Sequence, residues 1–386
     1  MRLYPSSVSS YRGGLVLIPV WTGILVLPFT GIRAALSLAA AAALLIAVGN
    51  MAGHGTVQRL LVSLRERASH AVARSAPIRA ALGSRTSLVM LVVLLIVLPL
   101  FLNDYFRDVL TLTCMYVVLA LGLNLIVGQA GLLNLGYVAF YAIGAYTYSI
   151  LSTTAGLPFW PGLVVGALAA AGCAALVGLP TLRLRGDYFA IVTLGLGEIT
   201  RIILNNWDRM TGGPNGISRI GRPVIAGYTL HRTIDFYYLI LAIVIVTIFL
   251  MQRLIASRIG RSWVAIREDE VAAEAMGVNT FRLKMLAFVL GSAWAGLAGV
   301  FFAAKMAFVS PESFTFFESV IILCMVVLGG MGSIPGIILG ALLLITLPEV
   351  FRDFQDYRML AFGIALVLMM IFRPQGLLGT VKTGSR

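Results

Sequence analysis

The chain has 386 residues, of which 59% are hydrophobic and 12% are charged. Soluble globular domains carry about 25% charged residues and about 45–50% apolar residues, so this composition excludes a water-soluble globule. The formal net charge is +13, but the basic residues lie in short segments between long apolar runs. This distribution is typical of a multi-pass membrane protein with basic cytoplasmic loops, and it argues against nucleic acid as a partner.

Apolar segments long enough to cross a hydrocarbon core of about 30 Å recur along the whole chain. They are predicted at residues 14–29, 33–51, 87–102, 108–127, 135–151, 162–180, 188–205, 236–252, 285–304, 317–331, 335–350 and 358–372. Gly-rich stretches at 128–134 and 331–335 separate two pairs of these segments, as in broken or re-entrant helices. We therefore predict an all-α transmembrane helical bundle with broken helices and about 10–12 membrane segments.

The N-terminal part of the chain is expected to be distinct from the main bundle. We predict an N-terminal transmembrane helix pair at 1–52, a basic cytoplasmic connector at 53–86 and the main transmembrane domain at 87–380. Arg2 and Arg12 precede the first apolar run as in a secretory signal, but a second apolar run follows at once, so we expect no cleavage. The connector is expected to form a basic amphipathic helix on an anionic membrane surface, and an unstructured linker is the alternative.

The basic connections predict the orientation in the membrane. Segment 52–86 carries six Arg against one Glu, which places it in the cytoplasm. Counting crossings from there puts 181–187, 253–284 and both termini on the cytoplasmic side. The connection 206–235 then lies outside although it holds four Arg, and charge is a weaker guide in longer loops.

The sequence lacks the motifs of nucleotide hydrolysis and of metal binding. A P-loop needs Gly-Lys followed by Ser or Thr, and the three Lys residues follow Leu283, Ala304 and Val381. The three His residues are isolated, and the three Cys residues lie far apart in apolar runs without C-x-x-C spacing. We therefore expect no catalytic residue, no metal site and no cofactor bound by this chain.

Charged residues inside the predicted spans are candidates for function. Glu198 lies near the middle of the span 188–205, and Arg201 follows three residues later on the same helix face. A charge at this depth is costly unless it is paired or faces a wet cavity. Both are candidates for a translocation pathway, and a mutual ion pair that locks the helix is the alternative. Lys305 and Glu318 fall near span ends, where we expect Lys305 to reach the membrane interface.

Two apolar segments are interrupted by Gly and polar residues, one in each half of the chain. Such interruptions free backbone groups that a polar solute can use, and two of them in corresponding halves indicate a pathway at the membrane midplane. Close packing of helices through small residues is the alternative. The candidates are Asn124, Gly128, Gln129, Gly131, Asn134 and Gly136 in the first break, and Gly329, Gly330, Gly332 and Ser333 in the second.

The connection 253–284 mixes charges of both signs. Arg267 and the acids after it lead into an Ala-rich stretch that Gly277 can end. This pattern predicts a short amphipathic helix of about two turns with Ala272, Ala273 and Met276 on one small, smooth face. Such a helix can dock in a groove of a partner, and an ordinary solvated connector is the alternative.

Several stretches resemble known permeases. Residues 270–277 resemble the cytoplasmic coupling loop of bacterial ABC-importer permeases, where an acid, alanines and a glycine form the seat for the ATPase subunit. Five further stretches resemble permeases for branched-chain amino acids of the LivM type. They are 122–146, 185–216, 310–314, 327–333 and 373–377, which together cover roughly residues 105–380 in order.

The resemblance implies a permease subunit of an ATP-driven importer of branched-chain amino acids in a bacterial inner membrane, paired with a LivH-like permease. Two ABC ATPases, which bind ATP and Mg²⁺, would dock on Arg267, Glu270, Ala272, Ala273, Glu274 and Gly277. A periplasmic solute-binding protein would dock outside on Asn206, Trp207, Thr211, Gly212, Gly213 and Asn215. The alternatives are the same architecture carrying urea or short amides, and an ion-coupled secondary transporter.

Overall fold

The computed structural model describes residues 95–350 except 185 and 226, together with 363 and 376. These residues belong to one compact unit, Val93–Arg386. Several predicted features lie outside the described residues and stay predictions. They are the spans 14–29 and 33–51, the span 358–372 except residue 363, the first half of the span 87–102, the N-terminal helix pair, the connector 53–86 and both termini.

The described part of the chain is built almost entirely of helices. In chain order they are α1 (Asp104–Asn124), α2 (Tyr137–Ala155), α3 (Phe159–Thr181), α4 (Asp187–Asn206), α5 (Asp208–Thr211), α6 (Thr233–Ala256), α7 (Arg258–Glu268), α8 (Glu270–Ala275), α9 (Thr280–Met306), α10 (Phe316–Gly329) and α11 (Ile334–Val350). Among the described residues, α1 with its continuation to Gln129, α3, α6 and α9 are each long and apolar enough to cross a membrane. The apolar helices α10 and α11 are shorter.

Eight predicted spans correspond to observed helices, namely α1 to α4, α6 and α9 to α11. The all-helical class of a multi-pass membrane protein is thereby confirmed. The predicted ends differ by a few residues because the helices continue beyond the apolar core to capping residues. For example, α2 ends at Ala155 and is capped by Gly156, whose left-handed backbone (φ 62°) suits a residue without a side chain. The total of 10–12 segments stays a prediction, since it includes spans outside the described residues.

Helix α9 lies at the centre of the described unit and packs against α1, α2 and α3. Glycines allow the helix backbones to approach closely. A Cβ atom at Gly144 of α2 would collide with the backbone of Gly296 of α9, and a Cβ at Gly296 would lie 2.7 Å from the carbonyl oxygen of Gly166 in α3. Small residues at helix crossings are a common way for membrane helices to associate through van der Waals contact.

The remaining long helices surround this centre. Helix α6 packs on α1, while α10 and α11 pack on each other and on α1. Large apolar side chains on the outer faces of α3 and α4 are strongly exposed, including Leu168, Leu176, Ile191 and Ile199. An outward apolar surface of this extent fits a chain surrounded by lipid or by other membrane helices.

Among the described residues, four two-residue strands lie between the helices. They are β1 (Ile217–Ser218), β2 (Val224–Ile225), β3 (Tyr228–Thr229) and β4 (Phe308–Val309). Strand β1 pairs antiparallel with β4, with Ile217 opposite Val309, and β2 pairs antiparallel with β3. The β1–β4 pair joins the connection 206–235 to the segment that follows α9.

Candidate functional site

The first predicted break is present directly after α1. The helix continues as a π-helical turn, Leu125–Gln129, and the chain then stays non-helical until α2 begins at Tyr137. Gly131 takes a left-handed backbone (φ 74°) within this stretch. Single π-helical turns are rare and are found frequently at functional sites.

The two breaks meet in space. The Asn124 side-chain oxygen accepts a hydrogen bond of 2.8 Å from the Gly332 N–H, and the Gln129 Nε2 donates one of 3.3 Å to the Gly332 carbonyl. Gly128 makes this arrangement possible, because a Cβ there would collide with the Asn124 oxygen and lie 2.7 Å from the Gly332 nitrogen. We call Asn124, Gly128, Gln129 and Gly332 the break cluster.

Arg267, in the last turn of α7, joins the break cluster. One of its guanidinium nitrogens donates a hydrogen bond to the Gly128 carbonyl. Carbonyl groups in the last turn of a helix lack partners within the helix, and a cation there also complements the helix dipole. The sequence predicts Arg267 as part of an ATPase seat, but the structure places its side chain toward the break cluster.

Helices α7 and α8 are held in defined positions by capping and by contacts with α9. The Asp269 side chain accepts a hydrogen bond of 3.0 Å from the Ala272 N–H at the start of α8. Lys284 of α9 forms an ion pair of 2.6 Å with Glu270. The buried Trp263 of α7 donates from Nε1 to the Leu283 carbonyl at 2.7 Å. These contacts join α7 and α8 to the start of α9.

The surface of α8 differs from the predicted one at one position. Met276 and Val271 are 84% and 68% exposed, and Ala272 and Glu274 are also exposed. Ala273 is only 6% exposed, so the prediction of a free face containing Ala272, Ala273 and Met276 is wrong for Ala273. The reason is that α8 packs against α9, so one face of this short helix must be buried.

A cavity of about 400 Å³ lies between the first break and these helices. Residues 130–133, the start of α4 and the end of α7 form its walls. Its charged groups are Asp187, Arg267, Glu270 and Lys284, two acids and two bases. The cavity is therefore lined both by the non-helical chain of the first break and by residues of the α7–α8 region, including Arg267.

Asn134 and Gly136 of the first break are buried and packed on neighbouring helices, whereas Gly131 is exposed. The Asn134 oxygen accepts a hydrogen bond of 2.9 Å from the Gly136 N–H. Gly136 lies so close to α4 that a Cβ would collide with the Thr193 carbonyl. The Thr193 hydroxyl oxygen accepts from the Leu135 N–H at 3.1 Å. Close packing accounts for Gly136, while the pathway interpretation stays a prediction.

Sequence reasoning missed Thr193 and a second hydroxyl. The Ser319 hydroxyl oxygen of α10 accepts a hydrogen bond of 3.0 Å from the Val138 N–H, in the first turn of α2. Ser and Thr in an apolar helix usually bond to their own helix backbone, so their presence alone carries little signal. In these two cases they satisfy N–H groups that the broken helix leaves without partners.

The second break, between α10 and α11, is also compact. Gly330 and Gly332 take positive φ angles of 106° and 87°. The Ser333 hydroxyl oxygen accepts from the Gly336 N–H at 3.3 Å. The Gly329 backbone lies against that of Gly336, where a Cβ would meet the carbonyl oxygen at 2.5 Å. Of the predicted pathway residues here, Gly332 belongs to the break cluster.

Glu198 and Arg201 pair with each other. The Glu198 carboxylate accepts from Nε and from a terminal nitrogen of Arg201 at 3.0 and 2.9 Å, and the two side chains are 34% and 37% exposed. The ion pair proposed as the alternative is therefore present. The half-exposed position on α4 leaves the pair accessible from outside the bundle.

Two charged residues near span ends have partners that the sequence did not predict. Lys305 forms an ion pair of 2.8 Å with Asp108 of α1, and its side chain is only 7% exposed. The nearby carboxylate compensates the buried ammonium group, and the position of Lys305 at the membrane interface stays a prediction. Glu318 accepts a hydrogen bond of 2.6 Å from the Tyr116 hydroxyl.

The predicted external docking residues divide into two groups. Thr211 and Gly213 are buried in the turn, where the Thr211 hydroxyl donates to the Leu204 carbonyl at 2.6 Å. Gly212 and Gly213 take positive φ angles. Asn206, Trp207 and Asn215 are exposed. Only these three offer side chains on the surface, while the others shape the turn.

The sequence profile of a protein family described as "Branched-chain amino acid transport system / permease component" matches residues 105–372. The chain belongs to this family. It is 48% identical over 314 residues to the "High-affinity branched-chain amino acid transport system permease protein LivM" of Escherichia coli strain K12, covering 75% of this chain and 74% of the relative. The match confirms the resemblance found in the sequence.

More distant relatives fit the same assignment. The "High-affinity branched-chain amino acid transport system permease protein LivH" of Escherichia coli strain K12 is 27% identical over 302 residues, covering 72% of this chain and 96% of the relative. A "Probable branched-chain amino acid transport permease protein LivM" of Methanocaldococcus jannaschii is 27% identical over 239 residues, covering 56% and 65%. No solved structure matches the chain. As a permease, this chain is a transporter subunit and not an enzyme.

Proposed function

We propose that this permease forms one half of the membrane channel of an ATP-driven importer of branched-chain amino acids. The names of the relatives supply the solute class. The structural observation that carries the proposal is the exposed apolar surface of α8, with Val271 and Met276 strongly exposed on a helix fixed to the bundle through Glu270 and Lys284. A solvated connector has no need of such a surface, whereas a docking element does.

In this proposal α7 and α8 face the cytoplasm, and the exposed surface of α8 binds the separate ATPase subunits. The Arg-rich segment 253–284 supports that orientation, which also places both termini inside and the protein in a bacterial inner membrane. ATP and Mg²⁺ would be bound by the ATPases, because this chain has no P-loop in its sequence. Glu274, exposed on α8, would lie within that contact.

The second permease, a LivH-like homologue, would face α4. The Glu198–Arg201 pair is half-exposed on this helix, between the exposed apolar residues Ile199 and Ile202. A charged pair turned toward lipid is costly, whereas a pair at a subunit boundary or a wet pathway is not. We therefore place the translocation pathway along α4, between the two permeases. Lipid would cover the apolar outer face of α3.

A periplasmic solute-binding protein would dock on the connection 206–235. Three surface residues of its first part, Asn206, Trp207 and Asn215, offer hydrogen-bonding and aromatic groups. The pairing of β1 with β4 holds this connection against the chain that follows α9. An ordered loop supports docking better than a flexible one, since less conformational entropy is lost on binding.

Transport by the reconstituted complex tests the proposal. The permease is purified with its partner permease and ATPases, placed in proteoliposomes, and supplied with binding protein, ATP and radiolabelled leucine or urea. We expect leucine uptake that requires ATP and the ATPases. Urea uptake in place of leucine would support the same architecture with another solute. Uptake by this chain alone, driven by an ion gradient, would overturn the proposal.

A further inference from the structure

We propose that Arg267 transmits movement of the α7–α8 region to the two broken segments of the bundle. Its hydrogen bond with the Gly128 carbonyl is the link, and Asn124 and Gln129 extend that link to Gly332. Arg267 thus acts as a positioning residue that couples ATPase contact to the shape of the break cluster. This inference rests on the proposed function of α8 as the ATPase contact.

The Arg267 side chain fits closely against glycines of both breaks. A Cβ at Gly131 would lie 2.8 Å from the Arg267 Cγ, and one at Gly332 would lie 3.4 Å from a guanidinium nitrogen. The stem of Arg267 therefore packs on the first break while its charged end reaches toward the second. An arginine in a merely solvated connector would not lie between two glycines of separate breaks.

Arg267 is also attached closely to α8, the proposed ATPase contact. Arg267 lies in the last turn of α7, two residues before Asp269, which caps α8. The Arg267 side chain also lines the cavity of about 400 Å³ beside residues 130–133, as does Glu270 of α8. A shift of α8 can change the width of the cavity without breaking packed helices, and Arg267 would then pull or release the Gly128 carbonyl.

Gly332 joins the second break to the first. Gly332 is held from both sides, because its N–H donates to Asn124 and its carbonyl accepts from Gln129. The Asn124 and Gln129 side chains belong to the end of α1 and its π-helical turn. Arg267 donates to the Gly128 carbonyl in the same turn. A displacement of that turn must therefore move Gly332 or break these bonds. The network is contiguous from Arg267 to Gly332, and the experiment below measures the coupling directly.

The experiment compares Arg267→Gln and Arg267→Lys with Arg261→Gln in the complete reconstituted complex. Arg261 is a matched control on the same helix, exposed, and donating to the Ala256 carbonyl at 3.1 Å. Leucine uptake, ATP hydrolysis and ATPase copurification are measured on the same preparations. Coupling between sites typically corresponds to about 5- to 150-fold, so for Arg267→Gln we expect the leucine moved per ATP to fall at least about tenfold.

The other variants define the role further. Arg267→Lys keeps a cationic donor and should recover part of the transport ratio, and Arg261→Gln should leave it unchanged. ATPase copurification should be unaffected in all three variants. An unchanged transport ratio in Arg267→Gln would overturn the proposal. Loss of ATPase copurification in that variant would also overturn it, because Arg267 would then belong to the docking surface.

Amide hydrogen exchange gives a second measurement that does not depend on the solute or on a variant that folds poorly. In the wild-type complex, trapping the ATPases with ATP and vanadate should change exchange in peptides covering both 125–136 and 328–336. Absence of any change in either peptide would overturn the proposal. A complex that hydrolyses ATP but does not take up leucine would contradict the solute assignment, while the exchange result would still show whether both breaks respond to the ATPases.

Discussion

The Asn124 side-chain oxygen accepts a hydrogen bond from the backbone N–H of Gly332, which lies 208 residues further along the chain. Asn124 is 2% exposed, so the bond is shielded from water. Few alternatives exist for this N–H group, because Gly332 lies at the turn between α10 and α11, outside any helix ladder. The bond therefore joins two breaks that sequence separation alone would not bring together.

Replacing Asn124 by Ala should leave the Gly332 N–H without its partner. A buried donor without an acceptor costs about 1–3 kcal/mol, so the midpoint of thermal unfolding of the purified permease should fall. Asn206→Ala is the matched control, because that side chain donates to the Ile202 carbonyl at 2.8 Å from an exposed position. Equal midpoints for the two variants would contradict the role given to Asn124.

The Glu198–Arg201 pair predicts a non-additive response. Glu198→Gln alone or Arg201→Gln alone leaves one charge in a membrane span without its counter-ion, at a cost of up to about 3 kcal/mol. The double variant removes both charges and should be more stable than either single variant. Thermal unfolding of the four proteins measures this cycle.

A matched pair at the edge of the bundle provides the control for that cycle. Arg107 and Asp104 form an ion pair of 2.7 Å with the same spacing, but the Asp104 side chain is 79% exposed. Exposed pairs contribute about 0–1 kcal/mol, so single and double variants there should differ little. A double Glu198 and Arg201 variant less stable than both single variants would contradict the ion-pair interpretation.

The exposure of α8 predicts different outcomes at two neighbouring positions. Met276→Glu adds a charge to the exposed apolar surface, so ATPase copurification should be lost while the thermal stability of the permease is unchanged. Ala273→Glu buries a charge against α9 and should lower the stability of the permease itself. Met306→Glu, at the far end of α9, should affect neither property. Retained copurification in Met276→Glu would remove α8 from the docking surface.

Gly277 is required because of its left-handed backbone conformation, and not because a larger side chain would collide with a neighbour. Its φ is 83°, and no atom lies within 4 Å of the position that a Cβ would occupy. Gly277→Ala should therefore cost about 1 kcal/mol through the left-handed conformation alone. Gly172→Ala in α3 also meets no neighbour but has no positive φ, and it should raise stability by about 0.5–1 kcal/mol because Ala favours a helix interior over Gly. Equal unfolding midpoints in these two variants would show that backbone conformation at Gly277 contributes nothing.

Much of the fold follows from the sequence because lipid imposes a strong length requirement on apolar helices. The eight described spans were predictable within a few residues, and the interruptions at Gly128 and Gly332 were visible as Gly-rich stretches. The Glu198–Arg201 spacing of three residues already allowed an ion pair. These features depend on local pattern, which one sequence contains.

Other features depend on tertiary contacts and were not predictable from local pattern. The spacing of Arg267 gave no sign that its side chain turns inward to Gly128, and nothing in the sequence paired Lys305 with Asp108. Ala273 and Ala272 are equivalent in sequence, yet packing on α9 buries only the former. The hydroxyl groups of Thr193 and Ser319 gained their roles from the free N–H groups of a neighbouring broken helix.

The crossing of α2, α3 and α9 has a consequence for the route of an amino acid. Between Gly144 and Gly296 there is no room for even a methyl group, and Gly166 approaches from the third helix. A leucine side chain is far bulkier, so a solute cannot slip between these three helices while they remain joined. We expect these three helices to move together as a rigid body. The amino acid would then pass at the side of the subunit, where a neighbouring protein can move apart from it.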